Sequence, residues 1–176
     1  MKLLLGVTGS ISAYKAVDLL RIFQKNGHQV SVVLTRSALR FIPALPFETF
    51  SPGRVFKDMF ASRNDPLSHI ELARANDLLL IAPATANIIG KMANGIADDL
   101  LSTLYLAFYG KVAIAPAMND RMLVHPAVTE NLSRLKARGV LIFDPEEGVL
   151  ASGDEGRGRL PAPERIYRSL LEFMNV

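Results

Sequence analysis

The stretch VAIAPAMNDRM (residues 112–122) decides the fold, because an apolar strand ends there in proline, methionine and asparagine before Asp120. The stretch DLLLIAPATAN (residues 77–87) repeats the pattern, with Ala-Pro and an asparagine at its end. In an open α/β sheet, ligands bind at the carboxyl ends of the strands. The two stretches are therefore predicted to form two walls of one site. The alternative is two buried strands followed by helices that begin with proline.

Strands and helices alternate along the chain, which predicts the α/β class with a parallel sheet. We expect one domain over residues 1–176. The predicted strands cover residues 2–7, 29–34, a short segment near 55, 78–81, 112–115 and 140–143. The predicted helices cover residues 11–25, 37–41, 86–108 with a possible break at Gly95, 126–138 and 164–174. Residues 42–68 are expected to be irregular, and residues 146–163 to form a glycine-rich, charged loop.

Composition excludes several classes of protein. Hydrophobic residues make up 49% of the chain and aromatic residues 7%, which is typical of a parallel sheet covered by helices. The net charge of +3 is too small and too dispersed to indicate a nucleic-acid partner. The chain has no cysteine and only three dispersed histidines, so we expect no metal site. It shows no signal peptide and no apolar run of about 20 residues, so we expect a cytoplasmic protein without a membrane partner.

The segment GVTGSISAYK (residues 6–15) reads as a strand, a Gly-Ser turn and the start of a helix. Its backbone N–H groups and serine hydroxyls suit a phosphate. The glycines do not match the dinucleotide fingerprint. Thr35 and Ser37 end the next strand and offer two further hydroxyls, so a mononucleotide fits better than a dinucleotide. The alternative is a serine-capped helix after a tight turn.

Three other groups have both functional and structural interpretations. His69 could be a general base near neutral pH or simply a histidine at a helix start. Asp98 and Asp99, if helical, point about 100° apart, which favours local hydrogen bonds or a contact between subunits over a paired-carboxylate site. Arg157 and Arg159 could clamp an acidic substrate, or they could lie in a solvated loop.

Taken together, five segments resemble the homo-oligomeric flavin-containing cysteine decarboxylases, in order and spacing over essentially the whole chain. They are GSISAYK (residues 9–15), HIELA (69–73), PATANIIGKMANGIADDLLST (83–103), PAMNDRM (116–122) and ASGDEGRGRLP (151–161). The resemblance implies a three-layer α/β/α fold, Rossmann-like or flavodoxin-like, with a six-stranded parallel sheet. It also implies self-association as a trimer or dodecamer, with His69 serving a neighbouring subunit's flavin.

The resemblance implies FMN as the cofactor and assigns roles to individual residues. The implied cofactor-binding residues are Gly9, Ser10, Ile11, Thr35, Ser37, Thr85, Asn87, Ser102, Thr103 and Met118. Of these, Ser10, Ile11 and Ser37 would hold the phosphate, and the last five would lie near the flavin ring. The implied catalytic residues are His69 as the base, Asn119 as the carboxylate-holding group, and Ser152. Besides Asn119, substrate would be bound by Met122, Arg157 and Arg159.

In the branch of the family that serves coenzyme A biosynthesis, the substrate is 4'-phosphopantothenoylcysteine. The flavin oxidises its thiol to a thioaldehyde, carbon dioxide leaves to give an enethiol, and reduction yields 4'-phosphopantetheine. A cysteine donates the final proton, but Ser152 stands at its position here. A hydroxyl is a far weaker acid than a thiol of pKa about 8.5, so we expect the last step to be impaired.

Several alternatives stay open from the sequence. Ser152 could be an engineered replacement, a natural feature of a decarboxylase that stops at the enethiol, or a sign of another proton donor. The protein could instead be a peptidyl-cysteine decarboxylase or a non-enzymatic FMN-binding regulatory subunit. A flavin prenyltransferase is disfavoured by the APAMN turn. A phosphopantothenate–cysteine ligase, as a domain or a separate protein, is an expected partner.

Overall fold

A central sheet organises the computed structural model, which describes residues 1–59 and 68–175. Its strands are β1 (Lys2–Val7), β2 (Gln29–Leu34), β3 (Val55–Phe56), β4 (Leu78–Ala84), β5 (Lys111–Pro116) and β6 (Leu141–Ile142). All neighbouring strands are parallel, in the order β3-β2-β1-β4-β5-β6. This order places a topological switch point between β1 and β4, where α/β proteins bind ligands.

Helices cover both faces of the sheet. They are α1 (Lys15–Lys25), α2 (Leu45–Phe50), α3 (Ser68–Arg74), α4 (Ala86–Asn94), α5 (Leu100–Ala107), α6 (Asp120–Leu123), α7 (Pro126–Ala137) and α8 (Pro163–Met174). The core on one face contains residues of α1, α2 and α8, and the core on the other contains residues of α3, α4, α5 and α7. The structure therefore has the three-layer α/β/α architecture and six-stranded parallel sheet that the resemblance implies.

Strand β1 shows why this sequence forms a doubly covered sheet. Leu3 and Leu5 lie in one core and Leu4 in the other, and all three side chains are fully buried. Successive side chains of a strand point to opposite faces, so a continuous apolar run needs packing on both sides. Strand β4 follows the same rule, with Leu78 and Leu80 opposite Leu79.

The structure confirms one predicted break and corrects one predicted loop. The segment of residues 86–108 is two helices, and the break lies at Gly95 as predicted, where a φ of 70° ends α4 in the left-handed conformation. The loop expected over residues 146–163 contains an antiparallel hairpin made of β7 (Glu146–Val149) and β8 (Glu155–Arg159).

Smaller differences concern short helices. The helix predicted from residue 11 begins as a 3-10 turn, Ile11–Tyr14, and the one predicted at residues 37–41 is a 3-10 turn, Ala38–Arg40. Helix α2 lies in the segment expected to be irregular, of which residues 60–67 are outside the described residues. Within the described part of the chain, no helix combines the length and apolar character needed to cross a membrane.

Candidate functional site

Thr8 connects the carboxyl ends of β1 and β4 at the switch point through two hydrogen bonds. Its buried hydroxyl donates to the Pro83 carbonyl at 2.7 Å and accepts the backbone N–H of Thr85 at 3.1 Å. The two strand ends are thereby fixed relative to each other. Sequence reasoning missed Thr8, although a threonine that directly follows an apolar strand is a usable signal.

Gly9 allows the turn after β1 to approach the segment after β2. A Cβ at residue 9 would lie 2.6 Å from the Ser37 Cβ, closer than real Cβ atoms come. The next residue, Ser10, accepts the backbone N–H of Ser12 at 3.4 Å and caps the 3-10 turn. Thr35 accepts the backbone N–H of Ala38 at 3.1 Å. The predicted hydroxyl residues Ser10, Thr35 and Ser37 thus lie beside the close contact between Gly9 and Ser37.

A cavity of about 600 Å³, hereafter the switch-point cavity, opens at these strand ends. Nine predicted site residues line it: Gly9, Ser10, Ile11, Thr35, Ser37, Thr85, Asn87, Met118 and Met122. The lining residues that sequence reasoning did not assign to the site are Thr8, Arg36, Phe41, Ala86, Ile88, Lys91, Asp99 and Ala117. The two walls predicted from residues 77–87 and 112–122 therefore do face one cavity.

Ser102 and Thr103, also predicted near the cofactor, do not line this cavity. Ser102 is fully buried in the first turn of α5, where it forms a reciprocal capping box with Asp99. Its backbone N–H donates to the Asp99 carboxylate at 2.8 Å, and its hydroxyl accepts the Asp99 N–H at 3.1 Å. The Thr103 hydroxyl is buried and has no hydrogen-bond partner within the described ranges.

Lys91 joins α4 to the start of α5. Its ammonium, with the side chain 15% exposed, lies 2.6 Å from Asp98 and 2.8 Å from Asp99. Burial lowers the Lys91 pKa, but the two carboxylates outweigh it and leave the pKa raised. Burial likewise raises the Asp99 pKa, but hydrogen bonds from Lys91 and Ser102 leave it lowered. Local hydrogen bonds are confirmed for Asp98 and Asp99, whereas their placement inside one long helix was wrong.

A second cavity of about 320 Å³, the hairpin cavity, lies between the β7–β8 hairpin and the turn after β5. Its lining consists of Ser10, Ile11, Ser12, Tyr14, Lys15, Ala117, Met118, Asn119, Val149, Leu150, Ala151, Ser152, Gly158, Arg159 and Leu160. Met118 is among the residues that line both cavities. The two cavities therefore adjoin along the PAMN turn.

The hairpin is docked on this turn through Gly158. The Met118 N–H donates to the Gly158 carbonyl at 3.1 Å, and a Cβ on residue 158 would lie only 2.0 Å from the Met118 oxygen. Glu146 pairs with Arg159 and Glu147 with Arg157, so Gly158 is the extra residue of a β-bulge.

The bulge separates the two arginines predicted to act together. Arg159 lines the hairpin cavity. Arg157 instead lies 3.0 Å from Asp144, donates to the Pro145 carbonyl at 3.4 Å, and borders a different cavity. The structure therefore does not bring Arg157 and Arg159 into one clamp.

Of the three predicted catalytic residues, Asn119 and Ser152 share the hairpin cavity and His69 does not. The Asn119 side-chain oxygen accepts the Arg121 N–H at 3.0 Å, while Ser152 lies exposed in the hairpin turn. His69 lies in α3, which packs against α5, and lines neither cavity. Its Nδ1 is buried without a hydrogen-bond partner among the residues that the structure describes.

The chain is similar to known proteins in both its sequence and its fold. Residues 1–175 match the family model described as Flavoprotein. The chain belongs to the Flavoprotein family. This flavoprotein is 48% identical over 166 residues to the coenzyme A biosynthesis bifunctional protein CoaBC of Bacillus subtilis, a match that covers 94% of the chain and 41% of the relative. The chain thus spans about two fifths of the length of the curated relatives it matches.

Two solved structures resemble this flavoprotein over nearly their full length. One is a cysteine-to-serine mutant of PPC decarboxylase complexed with pantothenoylaminoethenethiol, with a TM-score of 0.88 and 33% identity, covering 99% of this chain and 98% of that one. The other is the FMN-dependent cysteine decarboxylase SpaF, with a TM-score of 0.87 and 29% identity, covering 100% and 98%.

Proposed function

We propose that residues 1–176 form one FMN-binding domain that decarboxylates 4'-phosphopantothenoylcysteine in coenzyme A biosynthesis. The observation that carries the proposal is the pair of adjoining cavities that share Met118. One cavity would hold the cofactor and the other the substrate. The relatives named CoaBC and PPC decarboxylase support this reaction.

The switch-point cavity fits FMN in size and in chemistry. Its volume of about 600 Å³ is that of a small-molecule site. Gly9 and Ser37 are in such close contact that no side chain fits at residue 9. Ser10 and Ser37 flank this contact and line the cavity, and we assign the phosphate cradle to these two residues. Thr85, Asn87 and Met118 line the part of the cavity that we assign to the flavin ring. Ser102 would act there indirectly, through the cap that places the start of α5.

When bound, FMN would accept two electrons from the substrate's thiol and so create the electron sink that an α-amido carboxylate lacks. Asn119 would orient the reacting end. Because its side-chain oxygen accepts the Arg121 N–H, the amide NH₂ is left to donate to the substrate carboxylate. Met122, 48% exposed at the rim of the cavity, would cover the bound thiol from water.

The charges of the hairpin cavity favour an anionic substrate. Lys15 and Arg159 line it, and within the described residues no aspartate or glutamate does. The proposed substrate carries a phosphate and a carboxylate, and each of these groups can form charge-assisted hydrogen bonds with a lysine or an arginine. Arg157 would contribute by holding the base of the hairpin through Asp144.

The position of His69 supports a site shared between subunits. His69 lines neither cavity of its own chain, so we place its action as a base in the cavity of a neighbouring copy. A trimer, alone or assembled further into a dodecamer, would provide such neighbours. Since the bifunctional relatives are more than twice as long, the proposed further partner is a phosphopantothenate–cysteine ligase, as a domain or a separate protein.

Ser152 favours a second candidate, a peptidyl-cysteine decarboxylase whose product is an enethiol. A serine at the exposed turn of the hairpin is a poor proton donor, and an enzyme that stops at the enethiol needs none there. The 29% identical structure of SpaF carries the name of a cysteine decarboxylase.

Competition between substrates distinguishes the two candidates. The flavin-loaded protein is mixed with equal amounts of 4'-phosphopantothenoylcysteine and a peptide that ends in cysteine, and the products are identified by mass spectrometry. We expect the phosphorylated substrate alone to lose carbon dioxide. Conversion of the peptide alone would replace the first candidate with the second, and conversion of neither would refute both.

A further inference from the structure

We propose that Arg36 supplies the positive charge that binds the cofactor phosphate and thereby makes the switch-point cavity select FMN over riboflavin. This inference rests on the proposed FMN site. It adds to the cofactor site a residue that neither the sequence motifs nor the family resemblance had placed there.

The charges around the cavity identify Arg36. The charged residues that line the switch-point cavity are Arg36, Lys91 and Asp99. Lys91 is neutralised by Asp98 and Asp99 at 2.6 and 2.8 Å. Arg36 takes part in no ion pair or hydrogen bond within residues 1–59 and 68–175. It is therefore the one lining cation without a carboxylate partner in the described part of the chain.

The backbone places Arg36 beside the proposed phosphate cradle. Strand β2 runs parallel to β1 with Val7 opposite Leu34, and the pairing continues as the Thr35 N–H donates to the Val7 carbonyl at 3.1 Å. Ser37 then meets Gly9 at the close contact described above. Arg36 lies in the chain between Thr35 and Ser37, the residues that make these two contacts, so its backbone is held close to the Gly9–Ser10 turn.

The chemistry of arginine suits this place. A guanidinium donates two parallel hydrogen bonds to a phosphate, and serine hydroxyls complete the shell without adding charge. Arg36 is exposed, so salt would screen its interaction with the phosphate. It also borders a neighbouring cavity that contains Asp58 and Asp98, and a pairing with either carboxylate is the competing role.

The test compares two ligands that differ only in the phosphate. Dissociation constants of FMN and of riboflavin are measured by flavin fluorescence for the wild type and for Arg36→Gln, Arg36→Lys and Arg40→Gln. Arg40 is a matched control, since it is an exposed arginine four residues away that does not line the cavity. We expect Arg36→Gln to weaken FMN binding about tenfold and to leave riboflavin binding unchanged. Arg36→Lys should recover part of the loss, and Arg40→Gln should match the wild type.

Each other outcome overturns the inference. Unchanged FMN binding in Arg36→Gln would show that the phosphate does not use this charge. Equal weakening of FMN and riboflavin would show that Arg36 shapes the cavity, for instance through Asp58 or Asp98. A wild-type protein that binds neither flavin would refute the proposed function together with the inference, whereas the first two results leave the proposed function standing.

Discussion

Gly9 is the residue on which the close approach of the turns after β1 and β2 depends. In Gly9→Ala the new methyl would lie 2.6 Å from the Ser37 Cβ and 3.1 Å from its carbonyl carbon, so the two turns must separate. We expect a loss of unfolding free energy of about 1–3 kcal/mol, as for other overpacked sites, together with weaker FMN binding. Urea unfolding and flavin titration measure the two effects.

Gly27→Ala is the control for Gly9→Ala. Gly27 has a φ of 78° and open space around its Cβ position, and it precedes β2 at the end of that strand opposite the cavity. An alanine there is strained by about 1–2 kcal/mol, but it should leave FMN binding unchanged. Equal FMN affinity in both variants would contradict the role given to Gly9.

Ser152→Cys tests the proton-donor position. The residue is exposed in the hairpin turn, so the change should not affect folding. A thiol of pKa about 8.5 is a far better acid than a hydroxyl, and we expect the product to shift from the enethiol to 4'-phosphopantetheine. Mass spectrometry separates the two by two hydrogens. Ser152→Ala should behave like the wild type, and a wild type that already yields 4'-phosphopantetheine would show that another group donates the proton.

Among the elements, α5 depends on the cap that begins it. Asp99→Ala removes the capping box with Ser102 and one of two carboxylates on Lys91, and should lower the unfolding free energy by about 1–2 kcal/mol. Because the folded-state pKa of Asp99 is lowered, its contribution is present above its ordinary pKa of 3.8 and lost as the pH falls through the folded value.

Urea unfolding over a series of pH values measures this contribution. The difference between wild type and Asp99→Ala should narrow in acid. Glu130→Ala is the control, since its pair with Arg134 is exposed and should contribute little. If the loss of unfolding free energy in Asp99→Ala stays constant down to the lowest pH, the effect comes from packing rather than from the charged cap.

Elements with strong local signals could be predicted from the sequence, and those that depend on tertiary pairing could not. Strands β1 and β2 match their predicted bounds because apolar runs bounded by turns leave little choice. The β7–β8 hairpin was missed because its strand EGRGR lacks the apolar and β-branched residues that signal strands. It is held instead by the bulge at Gly158 and its contact with Met118, which no local pattern reveals.

The candidate site likewise contains some residues that could be predicted from the sequence and others that could not. Nine lining residues were predicted. The strand ends indicated the Gly9–Ser10 turn, Thr35 and Ser37, because the carboxyl ends of parallel strands converge. The family resemblance implied the other five, Ile11, Thr85, Asn87, Met118 and Met122. Arg36 and Lys91 were missed, since a single charged residue after a strand resembles a solvated one until the cavity beside it is seen. The separation of Arg157 from Arg159 follows from the bulge, and spacing in the sequence carries no trace of it.

At the scale of the whole molecule, His28 links the start of the chain to its last helix. The amino terminus lies 3.2 Å from its Nδ1, and its Nε2 lies 3.4 Å from the Tyr167 hydroxyl. Burial, and then the positive amino terminus, lower the His28 pKa below 6.5. The folded state therefore resists protonation, and stability should fall as the pH drops through the ordinary pKa of 6.5 and below it.

Thermal unfolding of the wild type and of His28→Gln, at pH values above and below 6.5, tests whether His28 causes this loss of stability. The variant should lose part of the pH dependence that the wild type shows, because glutamine does not titrate. Parallel pH profiles for the two proteins would assign the dependence to other groups.

The shared-site proposal predicts complementation between subunits. His69→Asn and Asn119→Asp should each abolish decarboxylation alone. Mixed assemblies made by co-expression should recover part of the activity, because some sites would combine an intact His69 from one copy with an intact Asn119 from another. Light scattering reports the size of the assembly. Mixed assemblies without any activity would place His69 and Asn119 in the same subunit's site or outside the reaction.

Anaerobic release of labelled carbon dioxide from carboxyl-labelled 4'-phosphopantothenoylcysteine tests the central claim most directly. The protein loaded with FMN is compared with the same protein stripped of flavin and with Asn119→Asp loaded with FMN. We expect release by the loaded wild type and by neither of the others. No release from a wild type that demonstrably binds FMN, or equal release without the flavin, would contradict the claim.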